Sequence, residues 1–246
     1  MKVLVCDPIS DKGIEILKNE PNVTVDVQLK KTEDELCEIV SEYQAIVVRS
    51  ETKITKKILE QAKQLKVVGR AGVGIDNIDV EAATLKGVVV VNTPDGNTIS
   101  AAELTLGMML AMARHIPQAD QSLRQGQWNR SKYVGVELRN KKLGIIGFGK
   151  IGSEVGRRSK AFGMNVMVYD PYINTETAKR AGVEIVSMEK LLSESDIITI
   201  HMPLTTETKH MICNDQFAKM KDGVRILNVA RGGIIDEEAL YEAIIS

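Results

Sequence analysis

The sequence predicts an α/β protein built from two doubly wound domains, each around a parallel β-sheet. Short, nearly continuous apolar strands alternate with amphipathic helical segments along the 246 residues. This alternation is typical of parallel sheets that helices cover on both faces. A turn-rich junction at 92–97 interrupts the alternation, which then starts again. We therefore place one domain at 1–96 and a second at 97–246.

The composition indicates a globular chain and argues against several classes of protein. Lysine and arginine number 32 against 33 acidic residues, which disfavours binding to nucleic acid or a membrane surface through bulk charge. No apolar run approaches the ~20 residues of a membrane span. The three cysteines are far apart and the three histidines lack metal-ligand spacing, so we expect neither a disulfide framework nor a metal site. We expect a cytoplasmic location.

Five apolar, β-branched runs are the predicted strands of the first domain, and the segments between them have the pattern of helices. The strands are predicted at 3–5, 23–25, 45–48, 67–68 and 88–91, with helices at 12–18, 33–40 and 56–64. Five strands in this arrangement complete one doubly wound domain.

A long helix is predicted directly after the junction. Ser100 and Glu103 form a capping-box pattern, and we expect the helix 100–115 to end before Pro117. It is apolar all round, which predicts burial between two domains or two subunits. The polar stretch 118–133 is expected to be an arm or a loop.

The second domain repeats the alternation. Its strands are predicted near 143–147, 165–169, 183–186, 196–201 and 224–229, with a last helix over 236–245 capped by Asp236. A parallel sheet of β-α units should continue with another strand after such a helix. We therefore expect a sheet without its last strand, in a chain shortened at its C-terminus.

A G-x-G-x-x-G pattern at 147–152 follows the first strand of this domain and opens a helix. Gly147 allows the tight turn, Gly149 lets a pyrophosphate approach the backbone, and Gly152 lets helix and strand pack closely. The free N–H groups at the helix start favour an anion. The alternative is a glycine-rich turn without a ligand.

Asp170 follows the next strand, 18 residues past Gly152, where an acid binds the ribose hydroxyls of a dinucleotide. Because a carboxylate repels a 2′-phosphate and no arginine is adjacent, NAD is favoured over NADP. The second domain is thus predicted to be a Rossmann-type NAD-binding domain.

Arg231 lies between a strand end and the double glycine 232–233, where a guanidinium could bind a substrate carboxylate bidentately. The alternative is a solvated arginine. We interpret His201, at another strand end, as a residue lining the adenosine side and not as a general acid. His115 is expected to complement a helix dipole, and His210 has no partner visible in the sequence.

Two arginines follow strands of the first domain. Arg49 and Arg70 are either surface charges or ligands of an anion, and the glycines of 71–74 would expose N–H groups to it. A small anionic substrate between the two domains is the simplest interpretation.

Six segments spread over the whole chain share their sequence with one enzyme family. They are RAGVGIDNID (70–79), NTPDGNTISAAELTLGMMLAMAR (92–114), LGIIGFGKIG (143–152), VYDPY (168–172), HMPLTTET (201–208) and NVARGGIIDEEAL (228–240). These segments resemble the D-isomer-specific 2-hydroxyacid dehydrogenases. Residues 96–105, 116–119 and 126–130 are most similar to the branch that oxidises 3-phosphoglycerate.

The resemblance implies a flavodoxin-like substrate domain, a Rossmann domain, and a homodimer built around the Rossmann domain and the helix 100–115. It implies a small anionic 2-hydroxy or 2-oxo acid as substrate and Arg231 as the catalytic arginine. The cofactor-binding residues are then Val73, Gly147, Gly149, Lys150, Ile151, Gly152, Asp170, His201, Met202, Pro203, Val229, Ala230 and Arg231. The substrate-binding residues are Arg49, Ser50, Arg70, Gly72, Val73 and Gly74.

The family's glutamate and histidine for proton transfer, and its carboxamide-binding aspartate, match no residue of this sequence. We therefore expect a shortened form that binds NAD weakly and turns over little. The implied reaction is oxidation of D-3-phosphoglycerate to 3-phosphohydroxypyruvate, at the start of phosphorylated serine biosynthesis. The alternatives are a glyoxylate or hydroxypyruvate reductase, another D-2-hydroxyacid dehydrogenase, a phosphite or formate dehydrogenase, and an NAD-sensing corepressor-like protein.

Overall fold

The computed structural model describes residues 1–245 and divides the chain into two compact units, with the boundary between Asn97 and Thr98. Both units contain a five-stranded parallel sheet with helices between the strands. The α/β fold class that the sequence predicts is confirmed. No helix within the described residues is long and apolar enough to cross a membrane.

The first unit has the strand order β2-β1-β3-β4-β5, which is the flavodoxin-like order. Its strands are β1 (Lys2–Val5), β2 (Thr24–Val27), β3 (Ala45–Val48), β4 (Val67–Arg70) and β5 (Val89–Asn92). Its helices are α1 (Asp11–Asn19), α2 (Glu33–Ile39), α3 (Lys56–Gln61) and α4 (Val80–Leu85). The apolar runs of β1, β3 and β4 are buried in the middle of the sheet.

Side-chain caps set where the four helices of this unit begin. The residue before each helix accepts a hydrogen bond from a backbone N–H three residues further on, as in N-caps of isolated helices. The capping residues are Ser10, Thr32, Thr55 and Asp79. The loops that precede the helices, and that follow the strands, therefore have defined ends.

The second unit has the order β10-β9-β6-β7-β8, the arrangement of a dinucleotide-binding sheet. Its strands are β6 (Lys142–Ile146), β7 (Asn165–Tyr169), β8 (Glu184–Ile185), β9 (Ile197–Ile200) and β10 (Arg225–Asn228). Its helices are α5 (Thr98–Ala113), α6 (Ile116–Arg124), α7 (Lys150–Ala161), α8 (Thr175–Ala181), α9 (Met188–Glu194), α10 (Asn214–Phe217) and α11 (Glu237–Ile245). The central strands β6 and β9 are buried along nearly their whole length.

Two expectations around the long helix are wrong. Helix α5 begins at Thr98, so Ser100 lies in its first turn and is not its N-cap. The stretch 118–133, expected to be an arm or a loop, is helical up to Arg124, as part of α6. Pro117 lies in the first turn of this helix, where a missing N–H and a preset φ are tolerated. His115, at a φ of +54°, makes the break between the two helices.

Helix α5 is apolar all round, as the sequence predicts, but only one face of it is buried in the second unit. Met109 and Ala113 are fully buried and pack in the same core as Val155 of α7. Leu104 and Met108 are 55% and 43% exposed. An apolar face of this helix is therefore free within the described chain.

Candidate functional site

The three glycines between β6 and α7 have the geometry that their spacing predicts. Gly147 has a φ of +91°, and a Cβ there would lie 2.7 Å from Met202 Cγ. A Cβ on Gly152 would overlap the carbonyl oxygen of Gly147. At Gly149, by contrast, a Cβ would meet no described atom within 4 Å. The backbone is therefore open at the one position where a pyrophosphate has to approach.

Gly149 is also the N-cap of α7, and it provides no side chain to cap the helix. The N-cap position thus contributes no side-chain acceptor to the first turn of the helix. The helix dipole adds partial positive charge at the same place. An open backbone and an uncapped helix start together form an anion site of the dinucleotide-binding type.

Asp170 lies against this loop. Its Oδ2 accepts a hydrogen bond from the backbone N–H of Phe148 at 2.7 Å, and its Oδ1 accepts one from the N–H of Tyr172 at 2.8 Å. The carboxylate at the end of β7 is thereby held beside the glycine loop at the end of β6. An acid in this position can accept hydrogen bonds from ribose hydroxyls, which is the role that the sequence predicts for it.

His201 follows β9, and its backbone N–H donates to the carbonyl of Ile146 on the neighbouring strand. Its Nε2 lies 3.0 Å from the hydroxyl of buried Thr199. Burial lowers the pKa of the imidazole from 6.5 to about 4. The side chain is therefore neutral at physiological pH, and its place on the adenosine side of the site stays a prediction.

Arg231 follows β10 in a turn that Asn228 organises. The side chain of Asn228 accepts from the N–H of Ala230 at 3.1 Å and donates to the carbonyl of Arg231 at 2.8 Å. The Nη1 of Arg231 donates to the carbonyl of Ala230 at 2.9 Å. The turn thus fixes the backbone from which the guanidinium extends.

The predicted cofactor residues of the second unit gather at one sheet edge, because β6, β7, β9 and β10 are parallel neighbours and each of these residues follows a strand end. They are Gly147, Gly149, Lys150, Ile151, Gly152, Asp170, His201, Met202, Pro203, Val229, Ala230 and Arg231. Val73, the remaining cofactor candidate, belongs to the first unit. In open α/β sheets ligands bind at this edge.

The arginine loop after β3 in the first unit is held by a buried acid. Asp7, only 1% exposed, follows β1 and accepts hydrogen bonds from the backbone N–H groups of Arg49 and Thr52 and from the Thr52 hydroxyl. Arg49 and Ser50 themselves are exposed. The loop therefore presents both side chains to solvent on a fixed backbone.

Arg70, at the end of β4, is the second arginine of this edge. Its Nε donates to Asn77 Oδ1 at 3.0 Å and to the carbonyl of Arg49 at 3.1 Å, so the two arginine loops are in contact. The expectation that the glycines of 71–74 expose their N–H groups to an anion is wrong for Gly72. The N–H of Ala71 bonds to Val48 and that of Gly72 bonds to Arg70, both at 2.8 Å.

Sequence reasoning missed the polar residues that support these loops. Asp7, Asn77 and Asn228 each bond two backbone groups of one loop through one side chain. The available signal was their position: Asp7 and Asn228 end or closely follow apolar strands, and Asn77 lies in the segment 70–79. Within residues 1–245, no group of three or more His, Cys, Asp or Glu side chains could hold a metal ion.

Residues 106–246 match the sequence profile of the D-isomer specific 2-hydroxyacid dehydrogenases, in the NAD binding domain. The chain belongs to this family. The predicted family resemblance is thus confirmed, and so is the prediction that the second half contains the family's NAD-binding domain.

Among known family members, the chain is 52% identical over 244 residues to the D-3-phosphoglycerate dehydrogenase of Archaeoglobus fulgidus, covering 99% of this chain and 46% of that protein. It is 48% identical over 246 residues to the hydroxypyruvate reductase of Thermotoga maritima, covering all of this chain and 79% of that protein. The chain spans less than half the length of its phosphoglycerate dehydrogenase relatives.

Solved structures of the family have the same fold. The D-lactate dehydrogenase of Aquifex aeolicus, complexed with NAD and lactic acid, superimposes with a TM-score of 0.89 at 31% identity. The superposition covers 100% of this chain and 73% of that one. This likeness agrees with the two doubly wound sheets described above.

Proposed function

We propose that the protein oxidises D-3-phosphoglycerate to 3-phosphohydroxypyruvate with NAD as the hydride acceptor. The observation that carries this proposal is the open glycine loop with the Asp170 carboxylate hydrogen-bonded beside it. The sequence identity of 52% and 53% to two D-3-phosphoglycerate dehydrogenases supports the choice of substrate. NAD, when bound, accepts the C2 hydride of the substrate at its nicotinamide ring.

Each cluster of candidate residues has a part in this reaction. Arg231 binds the substrate carboxylate through two N–H groups and so orients the C2 carbon. Arg49 and Arg70 bind the phosphate end. His201 is neutral at physiological pH, since burial keeps its pKa near 4, and it lines the cofactor site.

Proton transfer needs a further group. The family resemblance implies a glutamate–histidine pair for this step, and no residue of the sequence matches that pair. A positioned proton-transfer group typically contributes about 10²–10⁴ in rate. We therefore propose that residues 1–246 by themselves bind NAD weakly and turn over slowly, and that the full rate needs that pair.

The direct test uses purified chain 1–246 with NADH and 3-phosphohydroxypyruvate. Calorimetry should detect binding of NADH, and weaker binding of NADPH because Asp170 repels the 2′-phosphate. The rate of NADH oxidation should be at least a hundredfold below that of a longer phosphoglycerate dehydrogenase. Absence of NADH binding to folded protein would contradict the cofactor assignment, and a comparable rate would contradict the proposed lack of the pair.

Hydroxypyruvate reduction is the second candidate, because the Thermotoga maritima relative of that name matches this chain over all of its 246 residues. A longer form of the protein that contains the pair would distinguish the two. A phosphoglycerate dehydrogenase should prefer 3-phosphohydroxypyruvate over hydroxypyruvate by at least tenfold in kcat/KM, since only the former has a phosphate for the two arginines.

We further propose that two copies pair through the apolar face of α5. Leu104 and Met108 are exposed one turn apart on this helix in the described chain, and together they form an apolar strip. A cytoplasmic location remains a prediction of the sequence.

A further inference from the structure

Two side chains hold the loop after β3 in the first unit by its backbone. Asp7 accepts hydrogen bonds from the N–H groups of Arg49 and Thr52. The Nδ2 of Asn77 donates to the carbonyl oxygens of the same two residues, at 2.8 Å and 2.6 Å. The backbone N–H and carbonyl groups of Arg49 and Thr52 are thus all hydrogen-bonded, and these bonds fix the position of the loop.

Asn77 makes a third contact, and this one is to a charged side chain. Its Oδ1 accepts a hydrogen bond from Nε of Arg70 at 3.0 Å. The same Nε also donates to the carbonyl of Arg49 at 3.1 Å. Both bonds use one edge of the guanidinium, so they leave the terminal Nη1 and Nη2 groups for another acceptor. Asn77 therefore connects the Arg70 side chain with the Arg49 loop.

Gly72 makes room for the guanidinium held in this way. A Cβ at this position would lie 3.1 Å from Cζ of Arg70 and closer still to Nη1. Any side chain at residue 72 would thus displace Arg70 from its position. Since the atoms in the way are the end of a flexible side chain, the displacement would cost little stability.

We propose that Asn77 and Gly72 are positioning residues that hold the Arg70 guanidinium ready for the phosphate group of the substrate. A free arginine has many rotamers to lose on binding an anion. An arginine that is already held through Nε has lost these rotamers before the anion binds, so more of the interaction energy appears as affinity. This inference rests on the proposed function, in which Arg70 binds the phosphate end.

The test measures anion binding by chain 1–246 and by four variants. 3-Phosphoglycerate and, separately, inorganic phosphate are titrated into ¹⁵N-labelled protein, and the Arg70 Nε–H resonance is followed by NMR. The variants are Arg70→Ala, Asn77→Ala, Gly72→Ala and, as a control on the exposed end of α1, Asn19→Ala. Thermal unfolding of each variant is recorded in parallel.

We expect Arg70→Ala to weaken 3-phosphoglycerate binding at least tenfold and Asn19→Ala to leave it unchanged. Asn77→Ala and Gly72→Ala should each weaken it about fivefold or more. In folded Asn77→Ala the Arg70 Nε–H resonance should shift, because this N–H has lost its acceptor Asn77 Oδ1. Gly72→Ala should keep its melting temperature, so it remains informative even if Asn77→Ala folds poorly.

The outcomes separate the inference from the proposed function. If Arg70→Ala loses binding while Gly72→Ala and folded Asn77→Ala bind like wild type, the positioning role is wrong and the arginine site stands. If wild type does not bind, or Arg70→Ala binds equally well, the phosphate site itself is wrong and the positioning role with it.

Discussion

The carboxylate of Asp170 accepts a hydrogen bond from the backbone N–H of Phe148 at 2.7 Å. Phe148 lies between the first two glycines of the loop that follows β6, and Asp170 directly follows β7. One bond thus joins the loop where a pyrophosphate is expected to the acid where a ribose is expected. It makes the loop conformation dependent on the same side chain that we propose selects NAD.

Replacing Asp170 should therefore weaken the binding of NADH by two routes. Asp170→Asn removes the charge, and Asp170→Ala also leaves the Phe148 N–H without its acceptor. Hydrogen bonds to charged groups contribute roughly 1.5–3 kcal/mol, so we expect a loss of at least tenfold in calorimetric affinity. Glu176→Ala, which removes an exposed acid from α8, should bind like wild type. Equal affinity in all these proteins would exclude the ribose role.

Two alanine substitutions at open glycines should have opposite consequences. A Cβ would meet no described atom within 4 Å at Gly149 or at Gly107 in the middle of α5. Gly107→Ala should stabilise the helix in the unpaired chain by about 0.5–1 kcal/mol and leave NADH binding unchanged. Gly149→Ala should lower the free energy of unfolding by no more than about 1 kcal/mol, the cost of alanine at an N-cap, but weaken NADH binding at least tenfold, because its methyl group would occupy the expected pyrophosphate position. Urea denaturation measures the stability of the two variants, and calorimetry measures their affinity for NADH. Normal NADH binding by Gly149→Ala would contradict the assignment of this loop to the pyrophosphate.

The buried carboxylate of Asp7 should contribute strongly to the stability of the first unit. Asp7→Ala leaves two backbone N–H groups and the Thr52 hydroxyl without their acceptor. Each unsatisfied buried donor costs about 1–3 kcal/mol, so a clear fall in the urea midpoint is expected. Glu51→Ala, an exposed acid in the same loop, is the control and should leave the midpoint unchanged. Similar midpoints for both variants would show that the acid does not hold the loop.

The neutral state of His201 predicts a pH dependence of stability. Burial lowers its pKa from 6.5 to about 4, so above pH 6.5 neither the folded nor the unfolded state binds a proton there. Between pH 6.5 and 4 the unfolded state takes up a proton that the folded state does not. The free energy of unfolding should therefore fall by up to about 1.4 kcal/mol per pH unit over this range.

His201→Gln removes this titration, and its amide reaches the position of Nε2, which lies beside the Thr199 hydroxyl. Urea unfolding of wild type and variant at pH 7, 5.5 and 4.5 should show the smaller pH dependence in the variant. The other titratable groups are common to both proteins, so the difference between the two reports on His201. Identical pH dependence would mean that His201 is not the buried neutral group inferred here.

The exposed side of α5 provides a test of the proposed pairing of two copies. Leu104→Lys places a charge in the apolar strip, and we expect it to convert dimer to monomer in sedimentation experiments. Leu85, 82% exposed on α4 of the first unit, provides the control, because Leu85→Lys should leave the dimer intact. A wild-type chain that sediments as a monomer at all concentrations would contradict the proposal.

Much of the candidate site could be predicted because it depends on backbone geometry. Gly147 needs a positive φ, Gly149 an open backbone and Gly152 a close approach, and only glycine meets these three demands at this spacing. The start of helix α5, by contrast, was not predicted correctly. Ser100 and Glu103 have a capping pattern, yet the helix begins at Thr98, because local capping energies are small compared with packing against α7.

The sequence by itself determined the two parallel sheets and the edge at which each candidate residue lies, because apolar strand runs and turn residues are local signals. Only the tertiary structure decided which side chains hold that edge together. Asp7 and Asn77 are far apart in sequence but act on the same backbone, that of Arg49 and Thr52. Hydrogen bonds over such separations depend on how the strands are ordered in the sheet, and no local pattern of residues encodes that order.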